Sequence, residues 1–186
     1  MRRIAIALVH WPVLDAQGAI VTSAITNLDV HDLARSARSF GASDYFLVHP
    51  ITAQRELVEK IQKHWAEGSS GKRIPARKDA LALARAVPSL EDAYAALGGR
   101  AAIEVWSTGA KATPGVLSMA DARERVERDG PPILIVFGTA WGLAPDIHTS
   151  ADARLAPIVA ARDTAYNHLS VRSACAIYLD RLLGAR

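Results

Sequence analysis

The sequence predicts an α/β domain with a mainly parallel sheet of five or six strands and helices on both faces. Short apolar segments alternate along the chain with longer segments of helical periodicity, the order expected when a crossover helix joins successive parallel strands. Two of these segments, IAIALVH and PILIVFG, are apolar almost throughout, which is typical of strands covered on both faces. We interpret residues 1–186 as one domain, since this length supports a single core.

Five strands are predicted. They are IAIALVH from Ile4, DYFLVH from Asp44, AAIEVWS from Ala101, PILIVFG from Pro132 and ARLAPIV from Ala153. The last contains Pro157, which has no amide hydrogen for a neighbouring strand. This segment is therefore expected at a sheet edge or at the end of a strand.

Helical patterns fill most of the intervals between these strands. Residues 27–41 place apolar side chains at roughly helical spacing and end on Gly41, a common C-terminal capping residue. Residues 51–68 repeat a large apolar residue every fourth position, at Leu57, Ile61 and Trp65. We expect one helix from each segment.

Three further segments complete the pattern. Residues 89–99 begin with Ser89 and carry Asp92 three positions later, which predicts a capping box. Residues 117–130 predict a polar helix, and residues 169–183 predict a final helix that is apolar around most of its circumference. Residues 68–78, GSSGKRIPARK, interrupt the periodicity and are predicted to form a basic loop.

Composition excludes several classes of protein. The formal net charge is only +3, so overall charge is weak support for a nucleic-acid partner. The single cysteine excludes a disulfide framework within the chain and a zinc site with several cysteines, and we expect a buried thiol without a catalytic role. No histidine spacing predicts a metal site. No apolar run reaches the roughly 18–20 residues of a membrane span, so we expect a cytoplasmic protein without membrane contact.

Three loops that follow late strands are the places where a ligand is expected, because parallel sheets bind ligands beyond the carboxyl ends of their strands. These loops read STGAKATPG, GTAWGLAPD and AARDTAYNHLS. The turn after the first strand, HWPVLDAQG, lacks the G-x-G-x-x-G pattern, and no phosphate-binding loop is present. This arrangement favours a nucleoside held by several loops over a diphosphate held by the first helix.

The late segments VWSTGAK, ILIVFGTAWGL, ARLAPIV and YNHLSVRSACAIYLDRL resemble the S-adenosylmethionine (SAM)-binding half of the SPOUT-class (SpoU–TrmD) RNA methyltransferases. In that class, three late loops wrap the cofactor. The segment TNLDVHDLARSARSFGASDYFLVHP is similar to the early motif of the class, in which an arginine follows a polar residue by six positions; Asp29 and Arg35 show this spacing. The resemblance covers most of the chain and is closest to a stand-alone, single-domain bacterial branch related to the tRNA guanine-N1 methyltransferases.

The resemblance implies a SAM-dependent methyltransferase that modifies a nucleotide of tRNA or rRNA and releases S-adenosylhomocysteine. It also implies a deep trefoil knot near the C-terminus, the α/β knot of the class, and a homodimer with the cofactor pocket at the subunit interface. The final helix favours a dimer as well. Its polar stripe, His168, Arg172 and Asp180, is narrow, so its broad apolar surface needs cover on two sides.

The same resemblance, carried onto the three loops, gives a set of expected cofactor-binding residues. They are Thr108, Gly109, Phe137, Gly138, Thr139, Trp141, Gly142, Leu143, Leu155, Pro157, Ile158, Asn167, Leu169 and Ser170. Asn167 and Ser170 also suit the cap of the last helix, and the aliphatic members of the set also suit the core. Trp141 is expected either as a lid over the cofactor or as a partly buried loop residue.

Methyl transfer needs alignment of the acceptor, removal of a proton and stabilisation of developing charge. Arg35 is the candidate for charge stabilisation and for orienting RNA, or else forms a salt bridge on the helix surface. Asp163 is the candidate base, or else caps a loop or pairs with Arg162. Asp29, from the early motif, completes the candidate catalytic set. The expected RNA-binding residues are Arg38, Lys72, Arg73, Arg77 and Lys78, whose alternative is a solvated basic surface.

Two other functions remain open from the sequence. In the ribose-methylating branch of the class, the middle loop carries a glutamate between two glycines, whereas here Gly138 and Gly142 enclose Thr139, Ala140 and Trp141. This absence favours a non-catalytic module that binds SAM and RNA. A nucleotide enzyme of another Rossmann-like class is the third possibility, and the bare first turn disfavours it.

Overall fold

The computed structural model describes residues 2–161 and 166–185. Its helices and strands follow one another in this order: β1 (Ile4–Val9), β2 (Val13–Leu14), β3 (Ile20–Val21), α1 (Asn27–Ser39), β4 (Asp44–Val48), α2 (Thr52–Glu67), α3 (Ser69–Arg73), α4 (Pro75–Leu81), β5 (Ala84–Val87), α5 (Leu90–Ala96), β6 (Glu104–Ser107), α6 (Met119–Glu127), β7 (Ile133–Gly138), α7 (Pro145–Ser150), β8 (Ala153–Arg154) and α8 (Val171–Leu183). A short 3-10 turn at Arg100–Ala102 precedes β6.

Six strands form one parallel sheet in the order β5-β4-β1-β7-β6-β8. β1 lies near the centre, where Ala7 is opposite Phe46 of β4 and Val136 of β7. Its six residues are all buried, which confirms the expectation from its apolar sequence. β8 lies at the sheet edge, as predicted, but it spans only Ala153–Arg154 and ends three residues before Pro157, so the predicted strand ARLAPIV was too long.

Helices cover both faces of the sheet, as predicted. Residues of α1, α2, α4, α6 and α8 pack on one face, with Leu33 and Leu179 fully buried there. Residues of α5 and α7, together with the β2–β3 hairpin, cover the other face. The hairpin extends this second layer because Leu14 exchanges backbone hydrogen bonds of 2.9 and 3.0 Å with the loop after β7.

Local capping explains where two of the predicted helices begin. Thr26 and Asp29 form a complete capping box at the start of α1, and Ser89 and Asp92 form a second one at the start of α5. Gly41 follows the end of α1 with φ of 73°, a conformation that glycine adopts without strain. The capping predictions at Ser89 and Gly41 are therefore confirmed.

The prediction that residues 68–78 form a basic loop was wrong, because most of this segment is helical. It contains α3 and most of α4, and Pro75 lies in the first turn of α4, where proline leaves no helical hydrogen bond unmade. The short elements β2, β3, β5 and α7 were also missed. Each spans six residues or fewer, too few for a periodic pattern to be read.

The final helix begins at Val171, with the Ser170 hydroxyl as its N-cap. It packs against α1, α6 and β7, and its buried side chains include Cys175, Tyr178 and Leu179. Burial raises the pKa of the Cys175 thiol to about 12, in agreement with an inert thiol. The inference that a second subunit must cover this helix was therefore incomplete, because α1 and α6 supply cover on either side.

Among the described helices, none has the length and apolar character that crossing a bilayer requires.

Candidate functional site

A cavity of about 1100 Å³ opens beyond the carboxyl ends of β6 and β7. The loops after β6, β7 and β8 contribute to its wall, together with the segment before α1 and the first turns of α1 and α8. The three late loops therefore meet at one place, as the sequence predicted. The volume lies slightly above the roughly 300–1,000 Å³ that is usual for small-molecule sites.

The loop after β7 has a shape that depends on its glycines. A Cβ atom on Gly138 would lie 2.7 Å from the Leu143 amide nitrogen and 2.9 Å from its Cγ, so the loop folds back directly onto this position. Gly142 has φ of 112°, and Ala140 adopts φ of 51°. Residues 138–142 of this loop all line the cavity.

A chain of side-chain hydrogen bonds fixes Thr139 in the cavity wall. Its hydroxyl donates to the Val9 carbonyl at 3.0 Å and also bonds the Ser23 hydroxyl. Because the Thr139 hydrogen is used on Val9, the Ser23 hydroxyl donates to Thr139. Ser23 then accepts from His10 Nδ1–H at 2.9 Å. The end of β1, the segment before α1 and the loop after β7 are tied together in this way.

Two neutral histidines lie behind this chain. Burial lowers the pKa of His10 to about 4, a shift that Asp29 partly opposes. His49 donates from Nε2 to the Ser23 carbonyl at 2.9 Å and accepts at Nδ1 from the Ile51 amide at 3.1 Å, which only the neutral ring can do. Burial lowers the pKa of His49 as well. Both rings therefore act here as fixed hydrogen-bonding groups.

The loop after β6 is joined to the last loop of the chain. Thr108 Oγ1 donates to the Val136 carbonyl at 3.0 Å, and Asn167 Nδ2 donates to the Ala110 carbonyl at 3.1 Å. Ser170 accepts from the Ser173 amide at 3.2 Å and caps α8. Asn167 therefore links two loops, whereas Ser170 is the helix cap.

Aromatic rings gather around the last loop, next to the cavity. Trp141 is 64% exposed and meets the edge of His168 at 6.3 Å between ring centroids. Tyr166, 67% exposed, lies 5.4 Å from the same histidine. An exposed tryptophan that lines a cavity suits a lid better than a core residue.

The expected cofactor-binding residues all line this cavity, with the exception of Leu155 and Pro157. Leu155 is fully buried in the core, and its amide donates to the Ser107 carbonyl at 2.9 Å. Core packing was the alternative left open for this residue. Pro157 is half-buried beside it.

The candidate catalytic residues are separated in the structure. Asp29 lines the cavity, is 5% exposed and accepts from Thr26 Oγ1 at 2.7 Å; the Arg172 guanidinium lies 3.8 Å from its other oxygen. Arg35 is exposed on α1 and lines a second groove instead of the cavity. Asp163 lies outside the described residues.

The expected RNA-binding residues lie on α1, α3 and α4. Arg38, Lys72, Arg73 and Lys78 are exposed, whereas Arg77 is half-buried. The Arg77 guanidinium carbon lies 5.1 Å from the centre of the Trp65 ring.

Sequence reasoning missed several polar residues of the cavity wall: Ser23, His148, Arg154 and Arg172. His148 Nδ1 and the Ser107 hydroxyl are 3.0 Å apart, and burial together with Arg154 lowers the pKa of His148. The polar residues of HTS at 148–150, just after the GTAWGLAPD loop, were the available signal for His148. Ser23 carried no such signal, because the missed hairpin brings it to the site.

The model of a family described as SAM-dependent RNA methyltransferases matches residues 3–184. The chain belongs to this family. The match spans the sheet, the three late loops and α8, and it confirms the resemblance to the SPOUT class.

Among curated proteins, a tRNA (guanine-N(1)-)-methyltransferase of Oleidesulfovibrio alaskensis is 38% identical to this chain over 187 residues. The match covers 98% of this chain and 42% of that protein, so the chain spans about two-fifths of the relative's length.

Solved structures show the same fold. Crystalline TrmJ from Z. mobilis superimposes with a TM-score of 0.61 at 22% identity, over 96% of this chain and 67% of that one. The SpoU methyltransferase AviRb from Streptomyces viridochromogenes, crystallised with AdoMet, gives 0.54 at 16% identity, over 97% of this chain and 57% of the other.

The residues of the cavity fit SAM, the cofactor of the family. Phe137, Leu143 and Tyr178 supply apolar wall. Loop residues 138–142 also line the cavity, and those backbone groups that are not bonded to Leu14 or within the loop can face a nucleoside. A side chain at Gly138 would crowd this backbone. Among the described lining residues, Asp29 is the only carboxylate.

Proposed function

We propose that this chain binds SAM in the 1100 Å³ cavity and transfers its methyl group to a nucleotide of tRNA or rRNA. The observation that carries the proposal is the meeting of three late loops and the start of α8 around one cavity, in a chain that belongs to a SAM-dependent RNA methyltransferase family. The tRNA guanine-N1 activity named for one relative suggests tRNA as the first substrate to test.

Bound SAM supplies an activated methyl group on its sulfonium, so the protein chiefly has to position donor and acceptor. Thr139 is fixed by Val9 and Ser23, and this bond pair holds the loop after β7 at the cofactor. Asn167 holds the last loop against Ala110 and closes the opposite side. Apolar wall and loop backbone keep water from the donor once it is enclosed.

The acceptor must lose a proton, and three residues are proposed for its activation. Asp29 and Asp163 are the candidate bases. Arg35 is the candidate for stabilising developing negative charge. Arg35 lines a groove on the other side of α1 from the cavity of its own chain. We therefore infer that, in a homodimer, Arg35 acts on the acceptor bound at the cavity of the partner subunit.

The homodimer is proposed with the cavity at its interface. The exposed side chains of Trp141, Tyr166 and Leu169 lie on the two loops beside the opening and offer apolar area to a second copy. We also propose the trefoil knot and a cytoplasmic location. The knot is supported by the segment after β8, which bonds the loop after β6 both at Leu117 and, through Asn167, at Ala110.

Calorimetry with SAM and with S-adenosylhomocysteine tests the cofactor part of the proposal. We expect saturable binding of both, with one site per chain, and a much weaker response to NAD. A titration that shows neither SAM nor S-adenosylhomocysteine bound at millimolar concentration removes the proposal, whereas tight binding of NAD favours a nucleotide enzyme of another class.

A second candidate function is a non-catalytic module that binds SAM and RNA. It is favoured by the absence of an acid between Gly138 and Gly142, and by Asp29 itself, whose carboxylate is already engaged by Thr26 and Arg172. Binding of SAM and RNA without methyl transfer to RNA from cells lacking the gene would support this module.

A further inference from the structure

A second groove, of about 580 Å³, lies on the other side of α1 from the cofactor cavity. It is formed by α1, α2 and α4, and its basic lining residues are Arg35, Lys60 and Arg77, with His31 and His64 beside them. Trp65 forms part of its wall. The groove exists because residues 68–78 fold into helices and bring Arg77 back toward α1 and α2.

The cations of this groove have no ion-pair partner in the part of the chain that the structure describes. Across residues 2–161 and 166–185, no carboxylate lies within salt-bridge distance of Arg35, Lys60 or Arg77. Among the described lining residues, Asp32 is the one acid, and its Oδ2 lies 3.4 Å from Nε of Arg172, which does not line the groove. The positive charge of the groove is therefore available to an anionic ligand.

Trp65 holds Arg77 in place. The guanidinium stands over the indole at 5.1 Å, and His31 and His64 meet the same ring edge-on at 5.5 and 6.2 Å. A guanidinium stacked on a ring keeps its N–H edge free, and that edge matches the two oxygens of a phosphate. Burial lowers the pKa of His31, and Arg77 and Arg35 lower it further, which is consistent with positive potential in the groove.

The groove and the cofactor cavity share one wall, the beginning of α1. Asp29 lines the cavity, whereas Asn27 and Asp32 line the groove. Arg172, itself in the cavity wall, reaches both Asp29 and Asp32, at 3.8 and 3.4 Å. The two sites are thus about one helix diameter apart, roughly 10–12 Å, which a few nucleotides of RNA can span.

We propose that this groove binds backbone phosphate of the RNA substrate, chiefly through Lys60 and Arg77, a few nucleotides from the nucleotide that enters the cofactor cavity. The inference rests on the proposed function for its choice of polyanion. RNA backbone fits the cations of the groove, the ring-held Arg77 among them, better than an acidic peptide, because it presents phosphates directly along the chain, whereas the acidic side chains of a peptide need separate pockets. The groove also divides the basic surface, because Arg35 and Arg77 line it and Arg38, Lys72, Arg73 and Lys78 do not.

The test compares charge-matched variants by fluorescence anisotropy with labelled unfractionated tRNA. Lys60→Ala removes a cation of the groove, and Lys63→Ala removes an exposed lysine from the same helix that does not line it. We expect Arg77→Ala and Lys60→Ala to weaken binding by roughly tenfold and threefold. Each should also reduce the slope of log affinity against log salt by about 0.7–1. Lys63→Ala and Arg125→Ala, an exposed arginine of α6, should change affinity less than about twofold.

A second comparison tests the role of the ring. Trp65→Phe keeps an aromatic face for Arg77 and should retain most of the affinity, whereas Trp65→Leu should approach the loss seen with Arg77→Ala. Circular dichroism and SAM calorimetry on each variant show whether the fold and the cavity are intact. Equal losses in groove and control variants, unchanged affinity in Arg77→Ala, or displacement of tRNA by polyglutamate as readily as by polyphosphate would each overturn the inference. Failure of the wild-type protein to bind SAM would instead refute the proposed function.

Discussion

Gly138 is the residue on which the shape of the cofactor cavity depends most directly. It ends β7, and its missing Cβ leaves room for the chain to return over it at residues 142–143. At Gly109, in the neighbouring loop, a Cβ atom would lie 2.9 Å from Arg154 Nη2, which is the far end of a flexible side chain. The two glycines therefore differ in what a methyl group would displace.

Gly138→Ala should lower the free energy of unfolding by about 1–3 kcal/mol, because backbone must move. It should also weaken SAM binding at least tenfold, since the moved loop is the cavity wall. Gly109→Ala should cost less than about 1 kcal/mol, because Arg154 can turn away. Thermal unfolding and calorimetry measure both effects, and equal destabilisation by the two substitutions would contradict this account of the loop.

His10 and His49 make the fold sensitive to acid. His10 is fully buried, and its pKa of about 4 lies below the 6.5 of an unfolded histidine. The unfolded chain therefore takes up the proton first as pH falls. The stability that neutral His10 provides is complete above about pH 6.5 and is lost as the pH falls to about 4, in total about 3 kcal/mol.

Chemical denaturation between pH 7.5 and 4 should accordingly show a decline that steepens below pH 6.5, to which the lowered pKa of His49 adds. His10→Asn keeps a donor for Ser23 but cannot titrate, so it should lower stability at pH 7.5 and flatten the decline. A profile with the same steepness in this variant would show that other groups cause the acid sensitivity.

At this scale, the sequence predicted the residues whose type is unusual for their position. Glycines, Thr139 and the Asn167–Ser170 stretch stand at the ends of apolar strands, and they line the cavity. Ser23 does not stand out in the sequence, and Arg172 stands out only as part of the polar stripe of the last helix. Ser23 reaches the cavity because the hairpin folds against the loop after β7, and Arg172 because α8 packs beside α1.

The elements around the cavity combine capping with binding, and α8 is the clearest case. Ser170 lines the cavity and caps α8 by accepting a hydrogen bond from the amide three residues later. Ser118 caps α6 through the same kind of bond but does not line the cavity. Ser170→Ala and Ser118→Ala should each cost about 1 kcal/mol of stability. Only Ser170→Ala should also weaken SAM binding, so equal SAM affinity in the two variants would argue against a role for Ser170 at the site.

The two capping boxes allow a similar separation for α1. Asp29→Asn and Asp92→Asn remove the same charge from the same position of α1 and α5. Both should lose stability by about 0.5–2 kcal/mol. If Asp29 acts on the acceptor, its variant should in addition lose methyl transfer while SAM still binds. Matching transfer rates for both variants would assign Asp29 a structural role.

At the scale of elements, long periodic segments were predictable and short ones were not. α1, α2, α5, α6 and α8, and most of the long strands, follow from apolar spacing and caps. The four-residue β5 and the short helices α3 and α4 do not, since each is too short for a periodic pattern; Leu81 of α4 and Ala84 of β5 are buried in the core. The groove proposed for RNA depends on those unpredicted helices.

For the whole molecule, the fold class followed from the alternation of strands and helices along the chain, and the family followed mainly from the late strands and loops, whereas assembly did not. The packing of α1 and α6 on α8 replaces the cover that the sequence alone attributed to a second copy. The proposed dimer now depends on the exposed rings near the cavity and on the position of Arg35 across α1.

Light scattering should give about twice the chain mass of 19.9 kDa. Leu169→Asp should shift the protein toward the monomer, because it places a charge in the proposed interface. A complementation assay tests Arg35: mixing Arg35→Ala with a cavity-deficient Gly138→Ala chain should restore transfer in heterodimers, since one cavity then has both intact parts. A monomeric wild-type protein, or no restoration in demonstrated heterodimers, would contradict action across the interface.

The central claim is methyl transfer to RNA, and one assay tests it directly. The protein is incubated with SAM carrying a tritium-labelled methyl group and with total RNA from cells in which the gene is deleted. The account predicts radioactivity in RNA of tRNA or rRNA size, confined to one nucleotide that mass spectrometry finds unmodified before the reaction. A protein that binds both SAM and this RNA, yet leaves the RNA unlabelled under conditions where a known methyltransferase labels its own substrate, would contradict it.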